Sequence, residues 1–280
     1  MKARISLTVD SALIKRADKL IDNINFGSRS EFIETCIKKF LSESETAVVL
    51  GGGDPERLKL NGQFKFLIPI HGEKTLLDLL FEKLSSFGKI YVVAQREVID
   101  ACFGHIGDRI GTAEIIYIEE KTVLGNAKTL ELVKDKLNQE FLILPIDQYY
   151  DVDFSDLIRK HEINSRLFKG VITLVATPNG DEKKLGNVAM LGSQIVQHIE
   201  GNAQSRKLAS AFAAVCDKRV FTYIPKGVVK WCLQDDVYPK IIKDGGMFGY
   251  ISEQPLFNIH AEKDINQLKR YLREKYSANN

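Results

Sequence analysis

Three glycines, an arginine, a lysine and an aspartate carry the chemistry this chain is equipped to perform. Val48 to Leu58 reads Val-Val-Leu-Gly-Gly-Gly-Asp-Pro-Glu-Arg-Leu, and Lys65 follows eight residues after Arg57. A short apolar strand running into glycines can turn backbone N–H groups toward an anion with no Cβ in the way, and two cations can then close over a polyphosphate. The same glycines also suit an ordinary tight turn. Asp147 lies just past a second apolar run, Phe141-Leu-Ile-Leu-Pro145. A carboxylate there can hold Mg2+, which takes oxygen ligands, usually one or two carboxylates plus substrate phosphates. An Asp after a strand is equally a turn or helix cap.

Positioning such groups takes a packed core, and 280 residues with 44% hydrophobic content supply one. Cys36, Cys102, Cys216 and Cys232 are scattered, with no Cys-x-x-Cys pair, so neither a zinc knuckle nor a disulfide framework is indicated and a reducing cytoplasm fits. No apolar run approaches the roughly 18 residues of a membrane span, and the first residues lack the layout of a signal peptide. The expectation is a cytoplasmic protein with no membrane partner. The net charge is +2, and residues 1–44 hold eight Lys/Arg against six Asp/Glu, an excess too small to argue by itself for nucleic acid. His71, His105, His161, His198 and His260 show no metal-ligand spacing, which points to surface or core roles. Trp231 reads as core, and Tyr149 and Tyr150 either line a pocket after Asp147 or pack on a sheet.

From Ala47 onward the pattern alternates. Strands are expected at Ala47–Leu50, Lys89–Val93, Ala113–Ile118, Glu140–Pro145 and Gly170–Ala176. Helices are expected at Leu76–Leu84, Glu97–Phe103, Asn126–Leu137 and Ser155–His161. Such alternation implies a mostly parallel sheet covered on both faces, with ligands at the carboxyl ends of the strands. Both the glycine loop and Asp147 fall at those ends.

The first 43 residues read differently. Lys2 to Asp10 alternates, with Ile5, Leu7 and Val9 on one side and Arg4, Ser6 and Thr8 on the other. Asp10 and Ser11 suit the start of a helix carrying Leu13, Ile14, Ala17, Leu20 and Ile21. After a break at Asn25 to Gly27, Ser28 and Glu31 form a capping box for a second helix, striped by Phe32, Ile33, Cys36, Ile37, Phe40 and Leu41. One strand and two short helices cannot bury these faces alone, so a second copy of the chain is the expected remedy. Ser42 to Thr46 reads as a polar linker to a domain spanning 47–278.

The segment 1–43 resembles the ribbon-helix-helix DNA-binding family throughout. That resemblance implies a homodimer whose paired strands enter the major groove, with Arg4, Ser6 and Thr8 on the bases, and Ser28 and Arg29 at a helix terminus that holds a phosphate. The null alternative is that the unit only dimerises.

Residues 47–272 are similar to the sugar-phosphate nucleotidyltransferases. Leu50 to Leu58 lies in register with the family's Leu-Ala-Gly-Gly-x-Gly-Thr-Arg-Leu, and Phe64 to Pro69 with its Pro-Lys-x-Leu-x-Pro. Leu124-Gly-Asn-Ala127 looks like its Leu-Gly-Thr-Ala, and Phe141 to Asp147 like its Gly-Asp motif. Gly186 matches a Tyr-Gly position, Glu200 the Glu of Glu-Lys-Pro, and Phe257 to Asp264 the late Trp-x-Asp-Ile-Gly-Thr-Pro-Glu-Asp. The resemblance implies a three-layer α/β/α, Rossmann-like (GT-A-like) domain that joins a nucleoside triphosphate to a sugar phosphate with release of pyrophosphate. It assigns Leu50, Gly51, Gly52, Gly53, Arg57 and Gly125 to the nucleotide. Arg57, Lys65 and Asp147 go to catalysis, Gly186 and Glu200 to the sugar, and Asp147 and Asn258 to Mg2+.

Four departures accompany these matches. Pro55 and Glu56 replace Gly-Thr and bring a carboxylate toward the phosphates. Ile146 replaces a glycine and threatens to crowd the ligand. Gly201 removes a lysine, with Arg206 and Lys207 as the nearby basic residues able to replace it, and Asn258 stands where a second metal-binding Asp is found. Losing one electrostatic contact of this kind lowers turnover by about 10²–10³. The sequence therefore reads as a DNA-binding transcriptional regulator whose transferase-like domain binds a nucleotide, sugar nucleotide or sugar phosphate with catalysis weak or lost. The alternative is an active Mg2+-dependent sugar-1-phosphate nucleotidyltransferase dimerised by its N-terminal unit.

Overall fold

The computed structural model describes residues 5–21, 26–178, 186–199 and 208–277, with the backbone alone at 38–44 and 199. Helix α1 (Ser11–Asp18) is capped by the Asp10 carboxylate, which accepts from the N–H groups of Ala12 and Leu13. Helix α2 (Arg29–Ser44) starts at Ser28, whose hydroxyl accepts from Glu31 N–H. The Glu31 carboxylate accepts from Gly27 N–H at 2.9 Å, so the expected capping box closes one residue early. Residues 5–10 belong to no strand of the described chain, because a lone strand has nothing within the unit to pair with.

The expected linker is a correction to make. Helix α2 runs through Ser44 and strand β1 begins at Thr46, leaving Glu45 as the joint. No Gly or Pro interrupts Ser42 to Thr46, so nothing stops the helix sooner. The Glu45 carbonyl is held by Gly88 N–H at 3.0 Å.

Strand β1 (Thr46–Gly51) is buried along both faces, Ala47 and Val49 in one core and Val48 and Leu50 in the other. That period of two, with no polar side, places it in the middle of a covered sheet. It pairs in parallel with β2 (Lys89–Ala94), and β2 with β4 (Ala113–Glu119), which carries the short edge strand β3 (Arg109–Ile110). On its other side β1 pairs in parallel with β5 (Phe141–Pro145). The short strand β6 (Gln148–Tyr150) follows. Strands β7 (Ile172–Thr177), β8 (Gly186–Leu191), β9 (Gln194–Ile199), β10 (Leu208–Cys216) and β11 (Met247–Ile251) complete the sheet in the order β7-β11-β9-β8-β10-β5-β1-β2-β4-β3. Strand β10 runs antiparallel to both β5 and β7, so the sheet is parallel in its first half and mixed in its second. Strand β12 (Leu256–Asn258) pairs antiparallel with β6.

Helices α3 (Leu76–Lys83), α4 (Arg96–Ile106) and α6 (Phe154–Phe168) supply the core on one face. Helices α5 (Asn126–Glu131) and α7 (Tyr238–Lys243) supply the other. The three-layer expectation holds for the large unit. The helix expected over Asn126–Leu137 stops at Glu131, and a 3-10 turn takes over at Lys134–Lys136. Helix α8 (Glu262–Ser277) closes a third, smaller core with Tyr149, Leu76 and Ile259. Strands β1, β2, β4, β5, β7 and β11 all end at the same edge.

Candidate active site

The glycine loop leaves β1 at that edge. Gly53 has φ +91°, a conformation that favours glycine, and Gly52 lacks room for any side chain. A Cβ on Gly52 would stand 2.7 Å from both Glu120 Oε2 and Thr129 Cγ2. Glu120, one residue past the end of β4 and 3% exposed, accepts the Gly53 N–H at 2.7 Å and the Thr129 hydroxyl. Further along, the Asp54 side chain accepts from Glu56 N–H and its carbonyl from Arg57 N–H. Three backbone donors, those of Gly53, Glu56 and Arg57, are thus held by the protein itself, so the Gly53 N–H is not turned toward an anion. Arg57 is exposed, and no described residue pairs with its guanidinium. It is the cation of the loop's own sequence.

The Glu56 carboxylate is paired within the loop's own surroundings. Its side chain is 72% exposed and lies 2.7 Å from Lys59 Nζ, which also meets Glu97 at 2.6 Å. Pro55 fits as the first residue of the 3-10 turn Pro55–Leu58, where its missing N–H costs nothing. Ile146 is fully buried: its N–H donates to the Leu50 carbonyl and its side chain packs beside Gly51 in the core. Its side chain is part of the core rather than of an exposed surface.

Lys65 and Asp147 come together. Lys65 begins the short turn Lys65–Leu67, anchored by the fully buried Phe66, and Asp147 stands two residues past the end of β5. Lys65 Nζ lies 3.6 Å from Asp147 Oδ2, with both side chains largely enclosed. Burial pushes the Asp147 carboxyl up from its ordinary range, while the charges of Lys65 and His260 pull it back. Asn258 faces Gln148 across the β6–β12 pair, and Ile259 N–H donates to the Asp147 carbonyl at 3.3 Å. The β6–β12 pairing thus brings the Asn258 backbone close to Asp147, whose carboxylate is the acidic donor that the end of β5 offers there. That fits Mg2+ held chiefly by substrate phosphates, and no cluster of three acidic, histidine or cysteine ligands exists among the described residues.

Residues 46–215 match the family profile described as nucleotidyl transferase. The chain belongs to the nucleotidyl transferase family. A relative from Sulfolobus acidocaldarius, described as a mannose-1-phosphate guanyltransferase, is 27% identical over 160 residues. That stretch is 55% of this chain and 43% of the relative, so the match spans less than half of the relative's length. Among solved structures, a Bacillus anthracis protein described as a glucose-1-phosphate thymidylyltransferase, in complex with a sucrose, superposes with a TM-score of 0.70 at 16% identity. The match covers 82% of this chain and 95% of that one. HddC from Yersinia pseudotuberculosis, complexed with GMP-PN, gives 0.66 at 16% identity over 81% and 99%. These likenesses support the large α/β fold.

Other nucleotidyl transferase positions fall as follows. Gly125 has φ +91°, and a Cβ there would lie 2.5 Å from the Trp231 carbonyl oxygen, so the Leu124–Ala127 turn is clamped by Trp231 and Cys232. Asn126 completes the clamp by donating to Gln234 and accepting from Leu233 N–H. Gly186 is buried, and a Cβ there would meet Ser210 Oγ at 2.6 Å and His198 Nε2 at 2.8 Å. Glu200, Gly201, Arg206 and Lys207 lie outside the described residues. Tyr149 and Tyr150 are core, and Trp231 packs against the core with Lys240 Nζ 4.3 Å above its ring.

In the N-terminal unit Arg4 lies outside the described residues, and Ser6, Thr8, Ser28 and Arg29 are exposed. The Arg29 guanidinium is engaged by Asp18, at 2.6 and 2.7 Å, and ties α1 to α2 rather than standing ready for a phosphate. Glu120 is the site residue that sequence reading missed. Its signal was its place one residue beyond an apolar strand, the same position class that marked Asp147 after β5.

Proposed function

We propose that the chain is a sugar-1-phosphate nucleotidyltransferase. The observation that carries this is the meeting of Lys65 and Asp147 at 3.6 Å, beside a glycine loop whose Arg57 is exposed. A sugar-phosphate oxygen attacks the α-phosphorus of a nucleoside triphosphate, a new P–O bond forms, and the bond to the departing pyrophosphate breaks. The protein's task is to align the two substrates and offset charge. Arg57 would meet the triphosphate, Lys65 the reacting phosphates, and Asp147, with Asn258 beside it, would hold the Mg2+ that arrives with the nucleotide. Bound Mg2+ supplies further charge neutralisation on the phosphate oxygens. The outward Glu56 and the buried Ile146 remove two of the reasons to expect lost catalysis.

The test is thermal stabilisation by nucleoside triphosphates, sugar 1-phosphates and nucleotide sugars with and without Mg2+, followed by an assay for pyrophosphate release. Turnover that falls about 10²–10³ in Asp147→Ala supports the reading. Binding without turnover across a broad panel would instead leave a ligand sensor on a transferase fold.

A second reading, that the N-terminal unit is a dimeric DNA-binding module, is supported by its unburied apolar face. Ile5, Leu7 and Val9 are 66%, 55% and 42% exposed, and Leu7 and Val9 frame an open groove with Leu13, Ile14 and Phe32 of α1 and α2. Paired strands from a second copy would cover this face. The full chain should run as a dimer and bind double-stranded DNA, with a salt dependence that weakens in Arg4→Ala/Thr8→Ala. A chain starting at Glu45 should be monomeric and keep its nucleotide binding. A full chain that stays monomeric at micromolar concentration sinks the dimer, and unaltered DNA affinity in the double variant sinks the groove contact.

A further inference from the structure

A buried carboxylate beside a loop expected to hold a polyphosphate needs a reason. Charge alone would make Glu120 a liability there, since it would repel the ligand. Its geometry says otherwise. The Glu120 backbone N–H is anchored to the Ala94 carbonyl at the end of β2, at 2.8 Å. One carboxylate oxygen accepts the Gly53 N–H at 2.7 Å, and the other accepts the hydroxyl of Thr129 on α5. Thr129 Oγ1 also lies 3.2 Å from the Gly125 carbonyl, which caps the same helix. Gly52 is pressed so closely onto Glu120 and Thr129 that a methyl group would not fit. The glycine loop, the end of β4 and the Gly125 turn are therefore joined through one side chain.

The geometry points to Glu120 as a positioning residue of the nucleotide site. It pins Gly52 and Gly53 to helix α5 before any nucleotide arrives, so that the loop and the Gly125 turn face the cleft as one preformed wall. Because the carboxylate takes the Gly53 donor for itself, the triphosphate charge is left to Arg57 and Lys65. Preforming the wall spares the binding free energy that ordering a glycine-rich loop would otherwise consume. This inference rests on the nucleotide-binding reading above.

The experiment compares wild type with Glu120→Ala, Glu120→Gln, Thr129→Val and Thr129→Ser by calorimetric titration. GTP and dTTP with Mg2+ serve as one probe and mannose 1-phosphate as the other. Glu120→Ala and Thr129→Val should weaken triphosphate binding by about tenfold or more while leaving mannose 1-phosphate within about threefold. Glu120→Gln keeps an oxygen for Gly53 N–H and turns its amide to Thr129, so it should stay near wild type, as should Thr129→Ser. Amide exchange of Gly53 should speed up in Glu120→Ala and not in Glu120→Gln, which separates a pinned loop from general loosening of the core. Tighter triphosphate binding in both Glu120 variants would mean the carboxylate merely repels, and would overturn the proposal. So would unchanged triphosphate affinity in Glu120→Ala with wild type binding normally. Failure of the wild type to bind any triphosphate would overturn the nucleotide reading itself.

Discussion

Lys65 and Asp147 meet where neither is open to bulk water, so their attraction is screened less than that of a surface pair and each holds the other in place. Two histidines, His161 fully buried and His198 half-buried, contribute to how the protein should respond to acid. His161 is fully buried, with Nδ1 2.9 Å from Thr173 Oγ1 and no hydrogen-bond partner at Nε2. Burial lowers its pKa to about 4, against a smaller upward pull from Asp217 and a downward push from Arg219. His198 is lowered to about 4 by burial, opposed by Asp235. Both stay neutral in the folded chain while the unfolded chain takes up protons near pH 6.5. The unfolded state then binds more protons, so stability is full above pH 6.5 and is lost as pH falls toward 4. For His161 the loss approaches roughly 3 kcal/mol. The raised carboxyls of Glu45 and Glu140 act in the opposite sense, since the folded chain holds their protons more firmly. Urea midpoints at pH 7 and pH 5 should differ clearly in wild type, and His161→Gln/His198→Gln should flatten that difference. An unchanged slope in the double variant would assign the acid sensitivity to other groups.

Among the elements, the glycine loop is the most exacting. Gly52→Ala should shift the loop, because a methyl 2.7 Å from Glu120 Oε2 and Thr129 Cγ2 has no place to go. Triphosphate affinity should fall at least about tenfold, and stability by about 1–3 kcal/mol, measured by titration and urea unfolding. Affinity unchanged in this variant would mean that the loop does not form part of the nucleotide wall. The elements on which the loop rests were legible in the sequence: β1, β2, β4 and β5 are short, apolar and separated by helical periodicity. What was not legible has physical causes. Strand β10 is Leu208-Ala-Ser-Ala-Phe-Ala-Ala-Val-Cys216, rich in alanine, which packs well between neighbours but has little preference for a strand. Helix α5 ends early although Leu130, Val133 and Leu137 keep helical spacing, and all three are buried regardless. Glu56 and Ile146 were placed correctly along the chain. Their side-chain directions depend on Lys59 and on the core beside Gly51, and no spacing rule reports those.

At the scale of the whole molecule, motif order in the sequence assigned the large fold well. The N-terminal unit was legible only as a pattern, and in the structure Ile5, Leu7 and Val9 of its alternating stretch stay exposed. The joint between the units has a consequence for how their ligands would interfere. A single residue, Glu45, separates the end of α2 from strand β1, which delivers the glycine loop at its far end. Its six residues put roughly 20 Å between Glu45 and that loop. A macromolecule seated on the first 44 residues therefore approaches from the edge opposite the cleft mouth. Such a ligand need not block the cleft, and any effect it had on turnover would pass through the sheet as a change in substrate affinity, in rate at saturation, or in both.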